Sequence, residues 1–184
     1  MVRGGAWRGS TLAGGRGGSS AYHTSGTSVQ EGLEAALRRG LAEVESVVPG
    51  FDPLRFSVEA MDILFRVQSA KAARDLQWVE RLLTAEVRQE LQEGLDVLKA
   101  ERRITRLENI VVRCAEIRGA WVESRKAFVT VCLLASLLDY TVEEEGGRLV
   151  AGSRENRVKF EEYWSFVWLP AESSWRLNAI RQVV

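Results

Sequence analysis

The sequence has a single histidine in 184 residues, His23, and it lies in a Gly/Ser-rich stretch. A Ser-His-Asp triad, a Cys-His nucleophile pair and a histidine zinc site are therefore excluded from the body of the chain. Cysteine is almost as scarce. Cys114 and Cys132 both fall inside apolar segments, where a thiol behaves as a small hydrophobe. They read as reduced buried thiols in a reducing compartment, with a bridge between neighbouring strands left open. Net charge is also missing: 25 Lys and Arg balance 25 Asp and Glu, so no overall field selects nucleic acid or an acidic substrate. The longest uninterrupted apolar run is Val131-Cys132-Leu133-Leu134-Ala135, against the roughly 20 residues a membrane-spanning helix needs. What is present, 46% hydrophobic and 27% charged residues, suits one globular domain with a real core.

Residues 1–28 stand apart. They hold half of the 16 glycines, the arginines Arg3, Arg8 and Arg16, many Ser and Thr, and no acidic residue. Such a segment buries too little apolar surface to offset its ordering entropy and is expected to be a disordered leader or linker. Its composition also matches an organellar transit peptide, although its glycines weaken the helix such peptides form. Residues 29–50 form the next unit, an amphipathic helix. Val29, Leu33, Leu37, Leu41 and Val44 share one arc with Ala36, Val47 and Val48, opposite Glu31, Glu34, Arg38 and Glu45. Ser28 with Glu31 has capping-box spacing, and Pro49-Gly50 stops the helix.

Residues 51–184 form the main domain. Asp52-Pro53 predicts a helix start, and the following helix is so apolar, with Phe56, Ala60, Ile63, Leu64 and Val67 on one side and Val58, Met61 and Phe65 on another, that it reads as buried on two sides. Shorter helices are predicted at 75–83 and from a Thr84 cap to about Lys99. Beyond Arg103 the period falls towards two and β-branched and aromatic residues dominate, predicting strands at 104–118, 127–141, 147–152, 158–169 and 174–183. Helices first and strands afterwards predict an α+β fold, with N-terminal helices packed on an antiparallel sheet.

Phe160, Trp164, Phe166 and Trp168 occupy one strand face, which Trp175 continues on the next strand. With Phe65 they make a candidate apolar pocket, and the competing reading is plain core filling. Glu162 interrupts that face and Asp139 ends a strand beside Tyr140. A carboxylate in an apolar cavity is a candidate general base, but strand-end positions in water are the favoured reading of both. Glu143-Glu144-Glu145 reads as a solvated turn without oxygen-ligand spacing, and Arg102, Arg103 and Arg106 as an exposed basic corner. No metal, cofactor or catalytic residue is assigned.

The series Phe51-Asp52-Pro53, Phe65, Val67-Gln68, Asp75-Leu76, Leu82-Leu83-Thr84, Asn109-Ile110, Ala120-Trp121, Asp139-Tyr140, Gly152-Ser153, Phe160-Glu161-Glu162-Tyr163-Trp164-Ser165-Phe166 and Trp175-Arg176-Leu177 resembles the conserved domain of mitochondrial import inner membrane translocase subunit forty-four, shared with bacterial relatives and one mitoribosomal protein. The resemblance spans about residues 33–184. It implies a cone like that of nuclear transport factor two, with helices over a curved antiparallel sheet and an apolar cavity. It also implies a peripheral protein of an inner membrane, on the cytoplasmic face in a bacterium or the matrix side in a mitochondrion. Its implied partners are an anionic or cardiolipin-type lipid surface, through the helix before Phe51, and the proteins of a membrane complex; DNA is not among them, and a second copy of the chain is a further candidate. The implied role is a non-catalytic scaffold or tether in protein translocation or membrane-protein assembly. Alternatives are an isomerase or hydrolase on the same cone, using Asp139 or Glu162 with Tyr163, and a ribosome-to-membrane anchor. The long coiled region that recruits the mitochondrial chaperone motor is absent from these residues, so that role is not implied. Nor is the contact helix basic: it carries four Glu against two Arg.

Overall fold

The computed structural model describes residues 25–182, and their side chains from 29 onward. The disorder expected of residues 1–28 therefore lies mostly outside the described residues; Ser25 to Ser28 are helical. The first helix, α1, runs from Ser25 to Val47, so Ser28, the expected cap, sits within it. Helix α2, Pro53–Ala73, starts as predicted: the Asp52 side chain accepts from the Arg55 backbone N–H at 2.8 Å, and Pro53 fills the first turn, where no N–H is needed. It ends on Arg74 in the left-handed region, φ 56°, whose N–H satisfies the carbonyls of Ala70 and Lys71. A 3-10 turn follows at Gln77–Leu82, and α3, Ala85–Ala100, is capped by Thr84.

The chain then turns to strands: β1 Arg103–Glu123, β2 Lys126–Glu143, β3 Leu149–Gly152, β4 Val158–Leu169 and β5 Ser174–Gln182. They form one antiparallel sheet in the order β1-β2-β4-β5, with β3 paired to the far end of β2. The β1–β2 hairpin closes on Ser124 and Arg125, both with positive φ, the conformation that a two-residue turn between twisted strands demands. Three register shifts bend the 21-residue β1, at Glu108/Val111, Val112/Cys114 and Ile117/Gly119, and curve the sheet around the helices. The predicted α+β order, helices followed by a curved antiparallel sheet, is the observed one.

All three helices contact the same face of the sheet. Val129, Val131, Leu133, Trp164, Phe166 and Leu177 face them from the strands, and Phe56, Ala60, Leu64 and Val67 of α2 answer. Phe56 meets Phe166 edge-on, with centroids 5.4 Å apart, and Trp175 at 4.7 Å. Helix α1 reaches β1 at Gly40, where a Cβ would lie 1.8 Å from the Ala120 carbonyl oxygen. Backbone approaches backbone there because no side chain intervenes.

Candidate functional site

The residues expected to form one apolar pocket are divided among four environments. Trp164 and Phe166 are sealed in the core at 0% exposure. Phe160 belongs to a separate small cluster with Ala135 and Leu137. Phe65 stands on the open side of α2, 41% exposed. Only Trp168 and Trp175 reach a cavity. It is a half-open groove of about 660 Å³ where the α1–α2 junction meets the β4–β5 turn. Its floor is aromatic, with Trp168 and Trp175 centroids 5.6 Å apart and Phe51 5.8 Å from Trp175. The strand face is one face, as the alternation predicts, but most of it packs against α2 and only its Trp168 end stays open.

The lipid-facing set also divides. Val29 and Leu33 are 63% and 68% exposed, and Leu37 and Leu41 are half-buried. Val44 is fully buried, followed one turn later by Val48. Val44 is therefore a core residue and is withdrawn from the lipid-contact set: Gly40 lets the C-terminal half of α1 settle on β1, while the N-terminal half projects.

Helix α2 is not buried on two sides. Leu54, Val58 and Phe65 remain exposed at 82%, 61% and 41%. They recur at helical spacing and make an open apolar stripe, while Met61 between them is half-buried against the core. The sequence shows the stripe but not that, among the described residues, it stays uncovered.

Glu162 corrects the expectation of a solvated carboxylate. It points inward from β4 at 2% exposure and accepts a 2.9 Å hydrogen bond from Trp164 Nε1. Burial lifts its carboxyl above the ordinary range, partly offset by that bond and by Lys71 and Gln182. Asp139, half-buried on β2, is lifted for the same reason and drawn back by Lys71. Lys71 itself is depressed by burial, and the two carboxylates restore only part of the loss. Gln68, which is buried, enters the sequence analysis only within the Val67-Gln68 motif, and Lys71 not at all. The signal was available: both continue the buried positions Ala60, Leu64 and Val67 by one helical turn. Tyr163 lies on the opposite face of β4, its hydroxyl 3.4 Å from Glu161, so it does not join Glu162.

The remaining motifs carry less. Both cysteines are free, with Cys132 Sγ donating to Glu161 at 3.6 Å. In the Glu143–Glu145 turn, Glu143 pairs with Arg148, Glu144 with Arg74 and Glu145 with Arg102. Arg102 and Arg103 thus engage separate acids and form no joint basic patch. Among the described residues no group of His, Cys, Asp and Glu could hold a metal ion, and no helix is long and apolar enough to cross a membrane.

A family model described as the Tim44-like domain matches residues 37–182. Among solved structures, the intermembrane space region of the chloroplast protein ARC6 is similar at 11% identity and a TM-score of 0.48, covering 74% of this chain and 99% of that one. No curated protein matches the chain. The family match takes in everything from the buried half of α1 to the end of β5, and on it the chain belongs to the Tim44-like domain family, a membrane-associated and generally non-catalytic family.

Proposed function

We propose that this protein is a non-catalytic scaffold or tether that sits peripherally on an inner membrane and serves protein translocation or membrane-protein assembly. The observation that carries the reading is the set of large apolar side chains left open on two helices: Val29 and Leu33 on α1, and Leu54, Val58 and Phe65 on α2. Grouped exposed apolar residues on a folded domain mark a membrane or partner surface. Burying Val29 and Leu33 contributes on the order of 3–6 kcal/mol, which the cost of ordering the helix at the interface reduces. Binding is therefore reversible. It is also mostly salt-resistant, since α1 between Val29 and Val48 carries a net charge of −2.

Flotation of the chain with cardiolipin-containing vesicles tests this. Leu33→Glu is expected to abolish flotation and leave the melting temperature unchanged. Flotation that survives both Leu33→Glu and Phe65→Glu would remove the membrane reading.

A further inference from the structure

We propose that the groove between the α1–α2 junction and the β4–β5 turn is a docking site for an acidic peptide segment of a partner protein, with an apolar anchor residue beside one or more carboxylates. The floor supplies the apolar half. Phe51 and Trp168 are half-exposed there over the buried Phe56 and Trp175, and the cavity, about 660 Å³, lies within the range of pockets that seat a side chain and its neighbours.

The rim supplies the charge. Arg55, Arg81 and Arg176 line it. Among the described residues, neither Arg55 nor Arg81 forms an ion pair. The rim acids are largely engaged already: Asp52 caps α2 and Glu172 holds Arg176, leaving Glu59. Arg176 also keeps a buried Nε without a hydrogen-bond partner. The groove thus offers the unpaired guanidinium groups of Arg55 and Arg81 above an aromatic floor, which a carboxylate next to an apolar side chain satisfies together. The chain's own N-terminal segment is the wrong occupant, because residues 1–28 contain three arginines and no acid.

Position separates the groove from the α1 part of the proposed membrane contact, while Leu54, at the start of the α2 part, adjoins Asp52 and Arg55 of the rim. The groove lies at the C-terminal end of α1, beside Val48 and Phe51, roughly 20 Å along the helix from Leu33 at a rise of about 1.5 Å per residue. In its orientation alone the inference rests on the membrane reading: a domain anchored by the tip of α1 presents the groove at the other end of that helix.

The probe is a capped synthetic peptide alternating Phe or Leu with Asp or Glu, titrated without lipid into the isotope-labelled chain. The indole N–H resonances of Trp168 and Trp175, assigned from Trp168→Phe and Trp175→Phe, are expected to shift and saturate. Arg55→Glu and Arg81→Glu, both at exposed positions, are each expected to weaken binding about tenfold and to leave vesicle flotation unchanged. The same peptide with Lys in place of its acids is expected to leave both resonances in place. Absence of a saturable shift, an equal response to the Lys peptide, or indifference to both charge reversals overturns the proposal. So does an indole response to anionic vesicles and not to the peptide, which would make the groove a lipid site. Leu33→Glu distinguishes this proposal from the membrane reading, since loss of flotation with peptide binding retained separates the two surfaces.

Discussion

Gly40 and Ala120 bring helix α1 and strand β1 into backbone contact: a Cβ on Gly40 would stand 1.8 Å from the Ala120 carbonyl oxygen and 2.7 Å from its carbon. That one approach divides α1 into a docked half ending in Val44 and Val48 and a projecting half carrying Val29 and Leu33. Its consequence is testable directly. In a free helix Gly40→Ala stabilises by about 1 kcal/mol, but here the added carbon meets a main-chain atom that cannot rotate away. Overpacking of about 1–3 kcal/mol is expected to win, lowering the melting temperature and raising amide exchange across α1. A stabilised Gly40→Ala variant would show that α1 does not dock on β1 in solution.

Trp164 fills the centre of the core, and its indole N–H is committed to Glu162. Trp164→Ala is expected to cost about 3–5 kcal/mol through the cavity it leaves, measured by urea unfolding. Trp164→Phe removes less volume but orphans part of the Glu162 carboxylate, so it too destabilises. A loss under about 1 kcal/mol for Trp164→Ala would mean that the ring lines open space.

Glu162 makes stability depend on pH in a definite direction. Its carboxyl is lifted above the ordinary value of 4.5 by burial, so the folded chain retains a proton that the unfolded chain has released. The stability this contributes is whole below the ordinary carboxylate range and is lost as pH rises through the lifted value. Glu162→Gln removes that loss. Relative to the parent, the variant is expected to gain stability between pH 4.5 and neutrality, read from urea midpoints at several pH values. A constant difference across that span would show that Glu162 is solvated in the folded state.

Val44→Glu and Phe65→Ser separate the core from the open surface. The first places an unpaired charge in a fully buried site and is expected to unfold the domain or cost several kcal/mol. The second changes a surface position and is expected to remain within about 0.5 kcal/mol, measured by thermal melts. Equal losses for the two would place Phe65 against an unseen part of the fold.

Much of this architecture is written in local pattern. Asp52-Pro53 and Thr84 announce helix starts because their side chains and ring chemistry satisfy or remove orphan N–H groups. The change of apolar period from helical to alternating places all five strands. The aromatic strand face follows from the same alternation. What pattern left undecided was coverage. Periodicity puts Leu54, Val58 and Phe65 on one side of α2 and Phe56, Leu64 and Val67 on another, yet both sides look equally apolar. The extension of the Phe56 side to Gln68 and Lys71 keeps its helical spacing, but polar residues interrupt an apolar count.

By itself, then, the sequence determined the order of elements, the starts of α2 and α3, the α+β class and the family, all of which depend on interactions between residues a few positions apart or on a conserved order of motifs. Only the tertiary structure decided which apolar residues are core and which are surface. Burial is set by what arrives from elsewhere in the chain: β1 meeting α1 at Gly40 buries Val44 and frees Leu33, and β4 meeting α2 seals Trp164 and encloses Glu162. The groove at Trp168 and Trp175 exists because the α1–α2 junction and the β4–β5 turn, more than 100 residues apart in sequence, come together without closing completely.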